Sequence, residues 1–341
     1  MSMPKTSPAK IKVEKITQVA IACYDVRMVA ENYWNILGIG PWDFHDWEYP
    51  KVHHRTYCGE PFWSREKICM TDVGGVELEL MQPLDGPSLY QDFLEEHGEG
   101  LHHVQFMVDD LDATVKILTE EYGFTSLQSG SAGPTEKGCR YHYVYIEPLA
   151  CIWEPVEIRP EARPQPDGRY PETDQESPAR LKVDRINQIA LVVEDLEKTA
   201  ENYWNLLGIG PWEIYEWGNP LVFDRKYNGR PAWGRERIAV TDVGGVQLEL
   251  CQPVMGESVY RDFLDEHGEG LHHVNFFADD VDKAADILVA QGFRSLQSGR
   301  HGPPELNEAF NYIDTKPLRT IWEPTHYDEK NIGAEPTIFP R

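Results

Sequence analysis

The chain has 341 residues, 41% of them apolar and 11% aromatic, which suits two cores of about 150 residues each. Its formal net charge is −25. That field repels phosphate backbones and anionic lipid, so nucleic-acid and membrane partners are disfavoured. The six cysteines (Cys23, Cys58, Cys69, Cys139, Cys151, Cys251) are scattered without a CxxC. The N-terminal MSMPKTSPAK has no apolar stretch, and no run approaches a membrane span. Reduced thiols in a cytoplasmic protein are the expectation.

Residues 1–12 read as a loose tail. KITQVAIACYD (15–25) alternates and is rich in β-branched residues, which predicts a strand. VRMVAENYWNILG (26–38) carries Val29, Tyr33, Trp34 and Leu37 at helical spacing, with Gly38 as the stop. KICMTDVGGVELELMQP (67–83) predicts two strands joined at a Gly-Gly turn. A short helix over 88–98, a strand over 100–110 and a helix over 111–123 follow. YHYVYIEP (141–148) and CIWEPVEI (151–158) predict further strands. Residues 159–181 are dense in Pro, Arg, Asp and Glu and read as a linker.

The whole pattern then repeats. TDVGGVELELMQP (71–83) returns as TDVGGVQLELCQP (241–253), HGEGLHHVQF (97–106) as HGEGLHHVNF (267–276), and ENYWNILGIGPW (31–42) as ENYWNLLGIGPW (201–212). Copies this long are duplicated domains, here 13–158 and 182–326, with a polar tail over 327–341. Each copy holds two βαβββ-like units, so the expected class is α+β with four such units. Polar residues kept in both copies are the better functional candidates.

The openings TQVAIACYD and NQIALVVED, with GLHHVQF and GLHHVNF, resemble the vicinal oxygen chelate superfamily of glyoxalase I, methylmalonyl-CoA epimerase, extradiol dioxygenases and bleomycin-resistance proteins. The resemblance covers nearly all of both copies. It implies curved mixed sheets, two units paired edge to edge, and a cleft holding one divalent metal on four side chains. Carried over by position, the ligands are Gln18, Glu79, His103 and Glu154 in the first copy. In the second they are Gln188, Glu249, His273 and Glu323. A Gln stands where many relatives have His, as in eukaryotic-type glyoxalase I. Two carboxylates, an imidazole and an amide oxygen form a hard shell for Zn, Mn, Co, Ni, Mg or Fe(II), up to two ions per chain. Strand alternation lets only one of His102 and His103 face the cleft.

What the resemblance implies is an isomerase, epimerase or lyase that removes a proton alpha to a carbonyl through a metal-bound enediolate. Glu154, Glu323, Glu79 and Glu249 are the candidate bases. Fused relatives include cyclitol epimerases resembling 2-epi-5-epi-valiolone epimerase. The rival readings are an extradiol-type dioxygenase, which needs two His and one carboxylate, and a non-catalytic binding protein of the bleomycin-resistance kind. The implied partner is a small carbonyl substrate, and the chain is expected to be a monomeric pseudo-dimer or a loose homodimer. Weaker candidates are Glu66 and Glu236 as an acid/base, His97 and His267 beside the cleft, and the His45, His53, His54 group. Trp42, Trp63, Trp212 and Trp233 are candidate walls for a flat substrate.

Overall fold

The computed structural model describes residues 6–133, 138–306, 308–327 and 334–340. The chain divides into two compact units, Lys15–Asp184 and Arg185–Arg341, and the second also includes the segment up to Glu14.

The first unit carries eleven strands: β1 (Gln18–Ala22), β2 (Trp42–Trp47), β3 (Val52–Tyr57), β4 (Glu60–Pro61), β5 (Arg65–Asp72), β6 (Glu77–Asp85), β7 (Gly100–Met107), β8 (Thr125–Ala132), β9 (Cys139–Ile146), β10 (Cys151–Glu157) and β11 (Gly168–Tyr170). Among the described residues, three α-helices accompany them: α1 (Val26–Leu37), α2 (Leu89–His97) and α3 (Leu111–Lys116), the last continuing into a π turn over Ile117–Glu121. The sheet order is β11-β2-β5-β6-β1-β7-β10-β9-β8-β3-β4. Two four-stranded blocks, β2-β5-β6-β1 and β7-β10-β9-β8, meet at the antiparallel β1–β7 pair. The second unit repeats this order, with Thr337–Phe339 in the place of β11.

The connection from β2 to β3 shows that the sheet curls. Residues 48–51 join two strands that stand eight places apart in the order. A link of that length spans under about 20 Å. Eight flat strand spacings would need about 38 Å. The sheet therefore bends into an open trough, and the β3–β4 hairpin crosses to extend the far block beyond β8.

Local chemistry explains the elements. Asp25 caps α1 by accepting from the Met28 amide, and Gly38 ends it at φ 70, a conformation that favours glycine. Asp195 and Gly208 do the same for the helix Leu196–Leu207. Gly74 and Gly75, both at positive φ, turn β5 into β6. All five residues of β1 are buried. Helices cover one sheet face, with α1 on β5 and β6 and α3 on β9 and β10. The concave face buries Ala20, Ile68, Met81, Tyr90, Tyr141, Tyr143 and Val156.

Described parts of the segments outside the two repeats are structured. In the second unit, Ser7 Oγ donates to the Trp204 carbonyl and the Val13 amide to the Leu207 carbonyl, while Ala9, Ile11 and Val13 are buried. In the first unit, Ser177 donates to the Trp34 carbonyl at 2.5 Å and Val183 to the Leu37 carbonyl. SPAKIKVE (7–14) and SPARLKVD (177–184) are thus the same docking segment used twice. Strand β11 lies within residues 159–181, and the strand Thr337–Phe339 lies within residues 327–341. The strands β2, β3, β4 and β8 were not foreseen. VHHRTY is polar and broken by the left-handed His54, so its alternation is weak.

Candidate metal centre

Strand register builds the site in two rows. Across β6, β1, β7 and β10, one row holds Glu77, Gln18, Gln105 and Glu154. The next row on the same face holds Glu79, Ala20, His103 and Ile152. Ala20 is small, and that leaves room between Glu79 and His103. The second unit repeats the rows as Gln247, Gln188, Asn275, Glu323 and as Glu249, Ala190, His273, Ile321.

The four residues named for each copy therefore lie side by side. His103 Nε2 stands 3.4 Å from Glu154 Oε2 and 3.8 Å from Glu79 Oε2. His273 Nε2 stands 3.4 Å from both Glu323 and Glu249. Both imidazoles are fully buried, and the four carboxylates are nearly so. Gln18 donates to Glu77 Oε2 at 3.0 Å and accepts from Gln105 Nε2 at 2.9 Å. Gln105 also donates to Glu154 Oε2 at 2.7 Å, and Asn275 donates to Glu323 at the same distance. Gln188 donates to Gln247.

Electrostatics opposes leaving such a group uncompensated. Burial, and then the charges of Glu154 and Glu77, hold the Glu79 carboxyl well above the usual carboxylate range. Burial raises Glu77 as well, against the opposing pull of Arg163. Burial alone would lower His273, but the adjacent Glu249 and Glu323 carboxylates outweigh it and raise the ring to about 9. His103 Nε2, Glu79 Oε2 and His273 Nε2 are buried without a hydrogen bond. Orphaned acceptors converging beside paired carboxylates are what a divalent cation would satisfy. Among the described residues, no three His, Cys, Asp or Glu side chains already stand at metal-ligand spacing. The sets converge through the imidazole and fit a metal by donor chemistry and position.

The adjacent histidine holds the candidate ligand histidine. A bulge between Ala20 and Ile21 in the β1–β7 pairing buries both rings. His102 packs against Tyr90 and Phe93, with its Nδ1 2.9 Å from His103 Nδ1. Burial and then the neighbouring His103 push His102 well below its ordinary value, so it is neutral and can accept from His103 Nδ1–H. That tautomer leaves the His103 Nε2 lone pair toward the carboxylates. His272 is likewise neutral and can accept from His273 Nδ1–H. Duplication marked His102 and His272, since both copies keep them, but strand alternation argued them away. Gln105 and Asn275 were missed because the residue type changes between copies, although they share the parity of the ligand histidine.

The weaker candidates resolve differently. Glu66 and Glu236 are bound in buried ion pairs with Arg55 and Arg225, so neither is poised as a base. Trp42 and Trp212 are core residues bonded to the Ile39 and Ile209 carbonyls. Trp63 and Trp233 are exposed. His97 and His267 end their helices with rings beside Phe93 and Phe263. His53 and His54 contact each other, and His45 is buried apart from them.

In the second unit the site opens to a cleft. Gln188, Glu249 and Glu323 line it, together with Tyr215, Trp217 and His301.

Comparison with known proteins gives a consistent picture. A profile described as the Glyoxalase/Bleomycin resistance protein/Dioxygenase superfamily matches residues 17–143 and 187–310. The ethylmalonyl-CoA/methylmalonyl-CoA epimerase of Cereibacter sphaeroides is 32% identical over 130 residues, which is 36% of this chain and 87% of that protein. The mitochondrial methylmalonyl-CoA epimerase of Mus musculus is 31% identical over 135 residues, 38% of this chain and 68% of that protein. A mutant 4-hydroxymandelate synthase from Streptomyces coelicolor shares the fold at TM-score 0.59 and 17% identity, over 95% of this chain and 97% of that one.

Proposed function

Because the chain belongs to the glyoxalase/bleomycin resistance protein/dioxygenase superfamily, we propose that it is a divalent-metal-dependent isomerase or epimerase acting alpha to a carbonyl. The observation that carries this reading is the twin convergence of one buried imidazole on two buried carboxylates. Gln18, Glu79, His103 and Glu154 would hold one ion, and Gln188, Glu249, His273 and Glu323 a second. A bound ion would polarise the substrate carbonyl and acidify the neighbouring carbon.

The chain's own residues supply the proton transfer. Glu154 and Glu323 take the α-proton, while Glu79 and Glu249 stand on the other side of the imidazole to return it. Gln105 and Asn275 donate to the base carboxylate and orient it. Tyr90, Tyr143, Tyr260 and Tyr312 are buried against these groups and kept neutral, and so exclude water. The curated relatives named as epimerases support the reaction class. We read the chain as acting in the cytoplasm, as a monomer or loose dimer. Among the described residues, no helix is long and apolar enough to cross a membrane.

The test is hydrogen exchange. In heavy water the protein should exchange the α-hydrogen of methylmalonyl-CoA or of an α-hydroxy ketone. Glu154→Gln with Glu323→Gln should abolish exchange, with metal content measured alongside because both residues are also proposed ligands. Full exchange in that double variant would exclude both residues as the base, and oxygen uptake with ring-cleaved product would remove the isomerase reading.

A further inference from the structure

The two copies differ around this cleft, and one cross-strand pair carries two of the differences. His301 ends the strand Arg294–His301, and its amide donates to the Glu308 carbonyl across the ladder. The matching positions of the first copy are Ala132 and Cys139, also cross-strand neighbours. Copy two has therefore gained an imidazole and a carboxylate in place of a methyl and a thiol. His301 lines the same cleft as Gln188, Glu249 and Glu323, and it is 3% exposed. Its Nδ1 stands 3.5 Å from Glu308 Oε2, and Glu308 is itself almost fully buried.

The walls around this pair are aromatic. Trp217 lies 4.8 Å from the His301 ring, and Phe310 stacks on it at 6.3 Å with an interplanar angle of 30°. Tyr327 lies 6.4 Å away, where the first copy has Ile158. Tyr215 replaces His45, and Thr325 replaces Val156. The cleft thus has one polar end at the metal-site carboxylates, flat aromatic walls, and a second polar end at His301.

Glu308 Oε2 stands 3.5 Å from Nδ1 with no hydrogen bond formed between them, so it is an acceptor within reach of a proton on that nitrogen. With the proton there, a lone pair remains on Nε2. Burial lowers the ring to about 4, so the imidazole is neutral and accepts at ordinary pH. A buried neutral acceptor recognises a substrate hydroxyl, and it penalises a substrate that leaves it unpaired.

We propose that His301, backed by Glu308, is a substrate-recognition residue of the second cleft only. It would select carbonyl compounds with a flat ring and a hydroxyl at the end remote from the carbonyl. This rests on the proposed function in one respect, that the carbonyl end of the substrate sits at the Gln188, Glu249, His273, Glu323 set.

Three α-hydroxy ketones make the test: 2,4'-dihydroxyacetophenone, 2-hydroxyacetophenone, and hydroxyacetone, which has no ring. Binding to the purified protein is followed by tryptophan fluorescence, with Trp217 as the nearby reporter, and by calorimetry. The ring-hydroxylated ketone should bind about tenfold tighter than 2-hydroxyacetophenone, the worth of one buried hydrogen bond. Hydroxyacetone should bind weakest. His301→Phe keeps a ring between Trp217 and Phe310 but removes the acceptor, so it should erase the tenfold preference while leaving 2-hydroxyacetophenone binding intact. If that variant fails to fold, Glu308→Gln should shrink the preference several-fold. Equal or absent binding of the ring-bearing ketones in the unmodified protein would overturn the proposal, as would a preference that survives in the variant. The α-hydrogen exchange assay, run beside it, fails only if the proposed reaction fails, so the two are separable.

Discussion

Replacing Arg225 with Met tests how the second unit holds a charge in its interior. Arg225 and Glu236 are 4% and 0% exposed at their side chains. The guanidinium donates to both Glu236 oxygens, to the Glu257 carbonyl and to Gln297 Oε1. Gly234 makes the space, because a Cβ there would sit 2.8 Å from the guanidinium carbon. Arg225→Met removes the counter-charge and strands Glu236. Breaking a buried pair this way costs about 3–5 kcal/mol. For a unit of this size that corresponds to a fall of roughly 6–20 °C in thermal midpoint. Burial already raises Glu236 despite its partner, so once unpaired it should take up a proton and the deficit should shrink as pH falls. Calorimetry of Arg225→Met and of Arg225→Met with Glu236→Leu makes the comparison. The double variant removes both charges and should recover most of the loss. A midpoint lowered by less than about 2 °C in the single variant, or a double variant as unstable as the single, would refute the reasoning.

Other outcomes follow from the same structure. With metal stripped, stability should fall as pH rises from 6.5 to 9. His273 is raised to about 9 from an ordinary 6.5, so across that window the folded state binds more protons than the unfolded one. Metal requires the deprotonated ligands and should flatten the slope. A stripped protein whose midpoint climbs over this range would contradict the assignment. Deleting residues 1–13 should lower the midpoint of the second unit by several degrees, since Ala9, Ile11 and Val13 lose their burial and two hydrogen bonds are lost. It should leave the unit Lys15–Asp184 unchanged, and the opposite pattern would show that the segment docks elsewhere. His102→Phe should weaken metal uptake at the first site about tenfold or more without unfolding the chain, because it removes the acceptor for His103 Nδ1–H. Unchanged affinity would deny His102 that part.

The side-by-side placement of the candidate residues was legible because a strand's period of two leaves few choices. Gln18, Glu79, His103 and Glu154 were fixed by residue type, by position in a repeated motif and by resemblance to a known family. The structure brings them onto one face of four adjacent strands. What stayed hidden depended on departures from that period or on long-range pairing. The bulge beside Ala20 lets His102 and His103 both turn inward, which strict alternation forbids. The crossing of β3 to β8 is a tertiary event with no local signal in VHHRTY. Residues 7–14 look like a polar tail, and only their recurrence as 177–184 hinted that they are built to dock. His301 was invisible to a search for what both copies share, since it is a difference between them.

The most direct test of the central claim is a count of divalent metal per chain in protein purified without chelator. The account predicts up to two ions in the unmodified chain, and one fewer in either His103→Ala or His273→Ala. The variant carrying both substitutions should hold none. No metal and no uptake on titration would contradict it, as would a count that neither histidine changes.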